Sequence, residues 1–201
     1  MFIKDSEFKK MANKAFKKND LIVARHQGYY FIEFGWCNIQ VTTEMMSNKI
    51  KAILVEMIGD LPQEGEGYLY GEGCDPQSRM DLFDNIFEEH ERYASSECEA
   101  TCLMVRHCGD IHSVLQVAGE NKKIMVHNKF IEMVSTKLVE TDNGETVPGL
   151  PVYTGRLVWA NNVMALSVLV TPIKYRTDKI VLSIEDNLAI DPFDDLIGDR
   201  Y

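Results

Sequence analysis

The chain has 201 residues, a formal charge of −10 at pH 7 and 45% hydrophobic side chains. That balance holds enough apolar material for a packed core, which excludes wholesale disorder and fibrous repeats and predicts one large domain or two small ones. The longest apolar run, Val163 to Val170, falls far short of the roughly 18 residues of a membrane span. With a start (Met1-Phe2-Ile3-Lys4-Asp5) that turns polar at once, the sequence predicts a cytoplasmic chain without membrane contact, whose five cysteines stay reduced.

Phe2-Ile3-Lys4 reads as a short strand. Phe8, Met11, Ala12, Ala15 and Phe16 then recur at helical spacing, with Asp5 or Ser6 as cap and Asn19-Asp20 as the break. The opposite face of this helix carries Lys9, Lys10, Lys14, Lys17 and Lys18, a solvated face or a contact for an anion. Leu21 to His26, Tyr29 to Phe34 and Cys37 to Thr42 follow as an antiparallel meander, since they are rich in β-branched and aromatic residues and separated by tight turns. A second helix runs from a cap at Ser47 or Asn48 to Gly59, with Ile50, Ile53, Leu54, Met57 and Ile58 as its stripe.

Between Asp60 and Gly73 the composition shifts to Gly, Pro and Glu, which predicts a connector or a hairpin around Tyr68-Leu69-Tyr70. Asp75-Pro76 then looks like the start of a helix with Met80, Phe83, Ile86 and Phe87 on its apolar side and Glu88, Glu89 and Glu91 on the other. Thr101 to His107 and His112 to Ala118 read as a hairpin. Ile124-Met125-Val126 leads straight into a helix from Lys129 to Leu138, and the strands Gly155 to Trp159 and Met164 to Ile173 come after it. Glu140 to Pro151 reads as a polar loop and residues 185–201 as an acidic tail. The chain divides on this reading into 1–59, 60–100, 101–184 and 185–201, and the fold class is α+β with a mainly antiparallel sheet.

A short strand, a polar cap and Phe-x-x-Met-(Ala/Val) occur twice, at Phe8, Met11 and Ala12 and at Phe130, Met133 and Val134, each time before further strands. This predicts a duplicated β-α-β-β(-β) unit, each copy covering the other's sheet. The arrangement is similar to the repeat of sliding clamps, the processivity factors of DNA polymerases. The resemblance implies that Lys9, Lys10, Lys14, Lys17 and Lys18 face DNA; on the second helix Lys129 and Lys137 are set against Glu132. Arg79-Met80-Asp81-Leu82-Phe83 resembles the short peptide by which bacterial proteins dock on such clamps, with a core stripe as the simpler explanation. The stretch from Asn48-Lys49 to Gly65-Glu66 resembles segments of small uncharacterised phage and prophage proteins of Gram-positive bacteria, which implies a bacterial host cytoplasm and an interaction role.

The chemistry-bearing patterns are sparse. Gly65, Gly67, Gly71 and Gly73 lack a following Gly-Lys-Ser/Thr and sit among Glu64, Glu66 and Glu72, which repel phosphate. Cys98, Cys102, His107, Cys108 and His112 form a weak zinc candidate, because strand alternation sends His107 and Cys108 to opposite faces. There is no Gly-x-Ser-x-Gly and no His-Glu-x-x-His, so no catalytic residue and no cofactor are singled out. The leading expectation is a non-enzymatic phage-type protein that binds and inhibits a basic, nucleic-acid-handling host protein, in the manner of an anti-defence or anti-CRISPR factor. Its contact surface would be Glu185, Asp186, Asp191, Phe193, Asp194, Asp195 and Asp199. The alternatives are a clamp-like DNA accessory protein using the lysine face, and a metal-assisted hydrolase. A homo-oligomer stays open.

Overall fold

A computed structural model describes residues 1–79, 84–107, 110–120, 122–134 and 148–172. The chain divides into two compact units, Met1–Val170 and Thr171–Tyr201, and the account below concerns the first. It is α+β with antiparallel pairing throughout its ladders.

Helix α1 (Asp5–Lys17) is amphipathic as its spacing requires, with Phe8, Met11, Ala12 and Ala15 buried. Its cap differs from expectation: Lys4 occupies the position, no side chain caps it, and Asp5 lies inside the first turn, where a carboxylate suits the positive helix end. The short strand expected before it is reduced to a single bridge between Ile3 and Val134, backed by Lys4 N–H donating to the Met133 carbonyl at 3.0 Å. The chain turns after Lys18 at Asn19, whose φ of 56° is left-handed.

Strands β1 (Leu21–His26), β2 (Tyr29–Glu33) and β3 (Cys37–Thr42) form the predicted meander. Helix α2 (Asn48–Ile58) packs beside α1. Ser47 caps it by accepting from Ile50 N–H at 3.2 Å, and Gly59 ends it at φ 81°. Replacing that cap, Ser47→Ala, is expected to lower unfolding free energy by about 1 kcal/mol, read as a shift in denaturation midpoint at unchanged slope.

Between residues 60 and 92 the strand expected around Tyr68 to Tyr70 is present, and the helix expected from Asp75-Pro76 is not. Strand β4 (Glu66–Tyr70) pairs with β1, Ala24 opposite Gly67. That ladder needs a residue without Cβ: an added one at Gly67 would stand 2.4 Å from the Arg79 carbonyl and 2.8 Å from Ala24 Cβ. Pro76 does not open a helix; it leads into β5 (Gln77–Ser78), which pairs with β4. Helix α3 (Ile86–Arg92) starts ten residues later on a cap from Asn85, whose side chain accepts from Glu88 N–H. Met80 and Phe83 lie outside the described residues.

The second half supplies β6 (Cys98–His107), β7 (Asp110–Val117) and β8 (Lys123–His127), with β7 in the middle and a register shift in β6 between Ala100 and Met104. Strand β8 runs directly into α4 (Asn128–Met133), and β9 (Val152–Tyr153), β10 (Arg156–Ala160) and β11 (Met164–Leu169) follow.

The expectation that each copy covers the other's sheet is corrected. Both halves contribute to one sheet, ordered β5-β4-β1-β2-β3-β11-β10-β9, joined where β3 pairs with β11 and Ile39 faces Leu166. The order β1-β2-β3 is mirrored by β11-β10-β9, so the two strand sets meet through their last members. Phe8, Met11, Ala12 and Phe130, Met133, Val134 are buried in both places.

Alternation sorts the sheet into two faces. Leu21, Val23, Ile32, Phe34, Ile39, Leu157, Trp159 and Leu166 join the helix side chains of α1, α2 and α4 in the main core. Val158 and Ala165, pointing the other way, pack with Ile86 of α3 in a second cluster. Gln40, 1% exposed, ties α3 to that face by accepting from Ile86 N–H at 2.8 Å.

Candidate functional site

The lysine face of α1 splits in two. Lys9 bonds Glu56 of α2 at 2.8 Å and Lys10 bonds Glu7 at 2.6 Å, so the first half is locally neutralised. Lys14, Lys17 and Lys18 at the other end are exposed.

That end lies beside the β2–β3 turn. Asp20, just past α1, packs so tightly on Gly35 that an added Cβ there would come within 2.3 Å of its carboxylate, and Gly35 itself sits at φ +73°. A side chain at Gly35 is excluded twice over. The next residue, Trp36, joins the two helices through an aromatic chain: Phe8 to Phe34 at 5.7 Å, Phe34 to Trp36 at 6.3 Å and Trp36 to Phe130 at 5.0 Å between ring centroids.

Lys129, at the start of α4, completes the group. Its Nζ stands 4.3 Å from the Trp36 ring centre and 4.8 Å from that of Phe130, the geometry of a cation held on aromatic faces. Burial holds the Lys129 ammonium below its ordinary pKa, helped by the charges of Lys14 and Lys18 and opposed by Asp110.

His127 fixes the orientation of this corner. Its Nδ1 accepts from Lys129 N–H at 3.2 Å and its Nε2 lies 3.5 Å from Asp110 Oδ2, so the proton of the neutral ring belongs on Nε2. Burial, followed by the positive charge of Lys129, keeps His127 below its usual pKa, and the ring is neutral at pH 7. His112 is its Cα partner on β7, with ring centroids 5.2 Å apart.

The zinc candidate is not brought together. Cys98 pairs with Val117 while His112 lies five positions along the same strand, about 16 Å away at 3.3 Å per residue. Cys98 is buried, which pushes its thiol up to about 12, and Cys102 is exposed; the His107 side chain and Cys108 lie outside the described residues. Among the described residues no three His, Cys, Asp or Glu side chains are placed to hold a metal ion. A soluble alkylating reagent is expected to label Cys74 and Cys102 within minutes and to reach Cys37 and Cys98 only on unfolding, as read by peptide mass spectrometry.

Negative charge gathers elsewhere. Asp84, Asn85, Glu88, Glu89, Arg92 and Tyr93 line an open recess of about 390 Å³ on the outer side of α3. The acidic tail positions Glu185 to Asp199 and the clamp-docking stretch Met80 to Phe83 lie outside the described residues. Of the loop glycines, Gly67 serves strand packing and Gly71 gives room to Asn19. Among the described residues no helix is long and apolar enough to cross a membrane.

No protein-family model, curated protein or solved structure matches this chain.

The sequence exposed the lysine face but missed its partition and missed Lys129 as its partner. The only sequence signal was Lys129 standing one residue before Phe130 in the repeated pattern; that Trp36 lies beneath it is a tertiary contact that no local period encodes.

Proposed function

We propose that this chain is a non-enzymatic accessory protein of nucleic-acid handling that touches a phosphate backbone through Lys14, Lys17, Lys18 and Lys129. It is the clamp-like expectation, narrowed to one end of the lysine face. The observation that carries it is the partition of the lysine face: Lys14, Lys17 and Lys18 stand exposed at the end of α1 while Lys9 and Lys10 are already paired with carboxylates, and Lys129 adds a cation held on Trp36. The mirrored strand order and the twice-buried Phe-x-x-Met pattern favour the duplicated architecture that the resemblance implies.

A net charge of −10 does not forbid such contact. At physiological salt charges act over about 8 Å, so a local cluster outweighs distant carboxylates once a backbone is near. The test is the anisotropy of a fluorescent DNA duplex at increasing salt. If all four lysines engage, the logarithm of the binding constant falls linearly with the logarithm of salt concentration, with a slope of about −3 to −4. Lack of binding at low salt, or binding indifferent to salt, overturns the reading.

The α3 recess supports a second reading, the acidic one, in which the chain binds and inhibits a basic nucleic-acid-handling protein of a phage host. Exposed carboxylates around Tyr93 suit an Arg- or Lys-bearing partner better than they suit DNA. Neutralising Glu88, Glu89 and Glu91 to Gln, together with the acidic positions of residues 185–201, discriminates: a basic partner's affinity drops while DNA binding does not weaken.

A further inference from the structure

We propose that His127 is an acid-sensitive latch for α4: the neutral ring caps the helix, and protonation removes the cap and frees the turn that seats Lys129 and Phe130 on Trp36. Strand β8 enters α4 without a loop, and the residue at the junction is a histidine whose Nδ1 accepts from Lys129 N–H at 3.2 Å. An imidazole accepts only through a nitrogen that carries no proton. Ser47 of α2 and Asn85 of α3 fill the same position with side chains that do not titrate near neutrality. Among the described helices with a side-chain cap, α4 is therefore the one whose first turn depends on pH.

The groups facing the ring decide what protonation does. On β7, Asp110 Oδ2 lies 3.5 Å from Nε2, and the His112 ring stands 5.2 Å away as the cross-strand partner. On α4, Lys129 is the charged neighbour, and Phe130 meets the imidazole edge-on at 6.0 Å. The neutral ring uses both nitrogens, Nδ1 as acceptor and Nε2 as the donor toward Asp110. A second proton can go only on Nδ1, where it sets one N–H against another and adds a positive charge beside the Lys129 ammonium. Of these groups only Asp110 favours the cation, and Asp110 is exposed, where solvent and salt screen its pull.

A histidine held below its ordinary pKa of 6.5 in the folded chain gives stability that is complete above that value and is lost as the pH falls past it toward the folded-state pKa. Acid therefore weakens the junction of β8 and α4. The loss has a short path to follow. Lys129 Nζ rests 4.3 Å from the Trp36 ring centre and Phe130 meets the same indole at 5.0 Å, so a first turn that unwinds takes both off Trp36. Asn128 moves with them, although it is tied to β7 by Ser113 Oγ, which donates to Asn128 Oδ1 at 2.8 Å.

The latch is independent of the DNA reading above, because it is read at one backbone amide with no ligand present. A freed α4 also carries Lys129 away from its seat on Trp36, and only the effect of that displacement on phosphate-backbone contact rests on the DNA reading.

The experiment follows the full-length chain by NMR between about pH 7.5 and about pH 5, the range in which an imidazole changes charge. Two signals are read together: the ring resonances of His127, and the exchange protection of the Lys129 amide relative to an unstructured amide at the same pH. Protection at Lys129 is expected to fall by about five- to tenfold, the worth of one cap, in step with the His127 ring. The Ile50 amide, which Ser47 caps, should hold its protection throughout. His127→Asn, which caps without titrating, should keep Lys129 protected at both ends of the range, and Asp110→Asn, which removes the group favouring the cation, should move the midpoint to lower pH. A Lys129 amide that stays protected while the ring titrates overturns the proposal, as does a ring still neutral at the acid end. The same loss of protection in His127→Asn overturns it too, because acid then acts on α4 through another group.

Discussion

Phe8→Ala is expected to remove about 3–5 kcal/mol of unfolding free energy, the range for a large aromatic truncated in a close-packed interior. Phe8 is fully buried and meets the edge of Phe34 at 5.7 Å. It is the anchor by which α1 sits on the sheet and the first ring in the chain that ends at Phe130. The loss has two sources: apolar area returned to water, and a cavity that the surrounding strands cannot close because β1, β2 and β3 are held in register on both sides. Urea titration followed by circular dichroism reads it as a lower midpoint with an unchanged slope. Phe8→Leu, which keeps most of the volume, should cost less than about 1.5 kcal/mol. If the two substitutions cost the same and both are small, α1 is not anchored as described.

The local elements were legible where one physical rule decided them. Apolar spacing fixed α1, and β-branched and aromatic runs between tight turns fixed β1, β2 and β3. Ser47 and Gly59 marked the ends of α2 because each satisfies a backbone need that few residues meet. Errors arose where two rules competed. Asp75-Pro76 suits a helix start, but Gln77 and Ser78 gain ladder bonds to Leu69 and Tyr68 instead, and the helix waits for Asn85. Tyr68 to Tyr70 have strand composition whatever they pair with; they pair locally with β5 and on the other side with β1, and only the second pairing, with Gly67 on Ala24, is a tertiary fit that composition does not show.

The architecture was partly legible for the same reason. The repeated Phe-x-x-Met pattern shows that two helices bury the same kind of face, but nothing in a pattern says whether two sheets stack or join at an edge. The edge pairing of β3 with β11 depends on Val41, Ile39 and Cys37 lying opposite Met164, Leu166 and Val168, a match across the whole chain. The candidate site follows suit: its lysines were visible one by one, while the pairing of Lys9 with Glu56 and the approach of Lys129 to Trp36 are consequences of packing.

Reversing the charge of the cluster, Lys14→Glu with Lys18→Glu and Lys129→Glu, should abolish duplex binding at physiological salt and flatten its salt dependence by about three units of slope, one for each phosphate contact removed. The same reversal at Lys9 and Lys10 should do much less to DNA binding. Those ammonium groups already face Glu56 and Glu7, so their loss removes little net attraction for a backbone. The contrast between the two ends of one helix is the decisive part, because a merely solvated lysine face would respond alike along its length. Lys129→Glu also places a carboxylate against Trp36 and Phe130, where an ammonium now rests, so Lys129→Gln is the companion that removes charge without that penalty. A melting temperature within about 2 °C of the parent for the Gln variant separates lost contact from lost fold. If Lys9→Glu with Lys10→Glu weakens DNA as much as the triple reversal, the contact runs along all of α1 and the unpaired end of the helix with Lys129 has no special part in it.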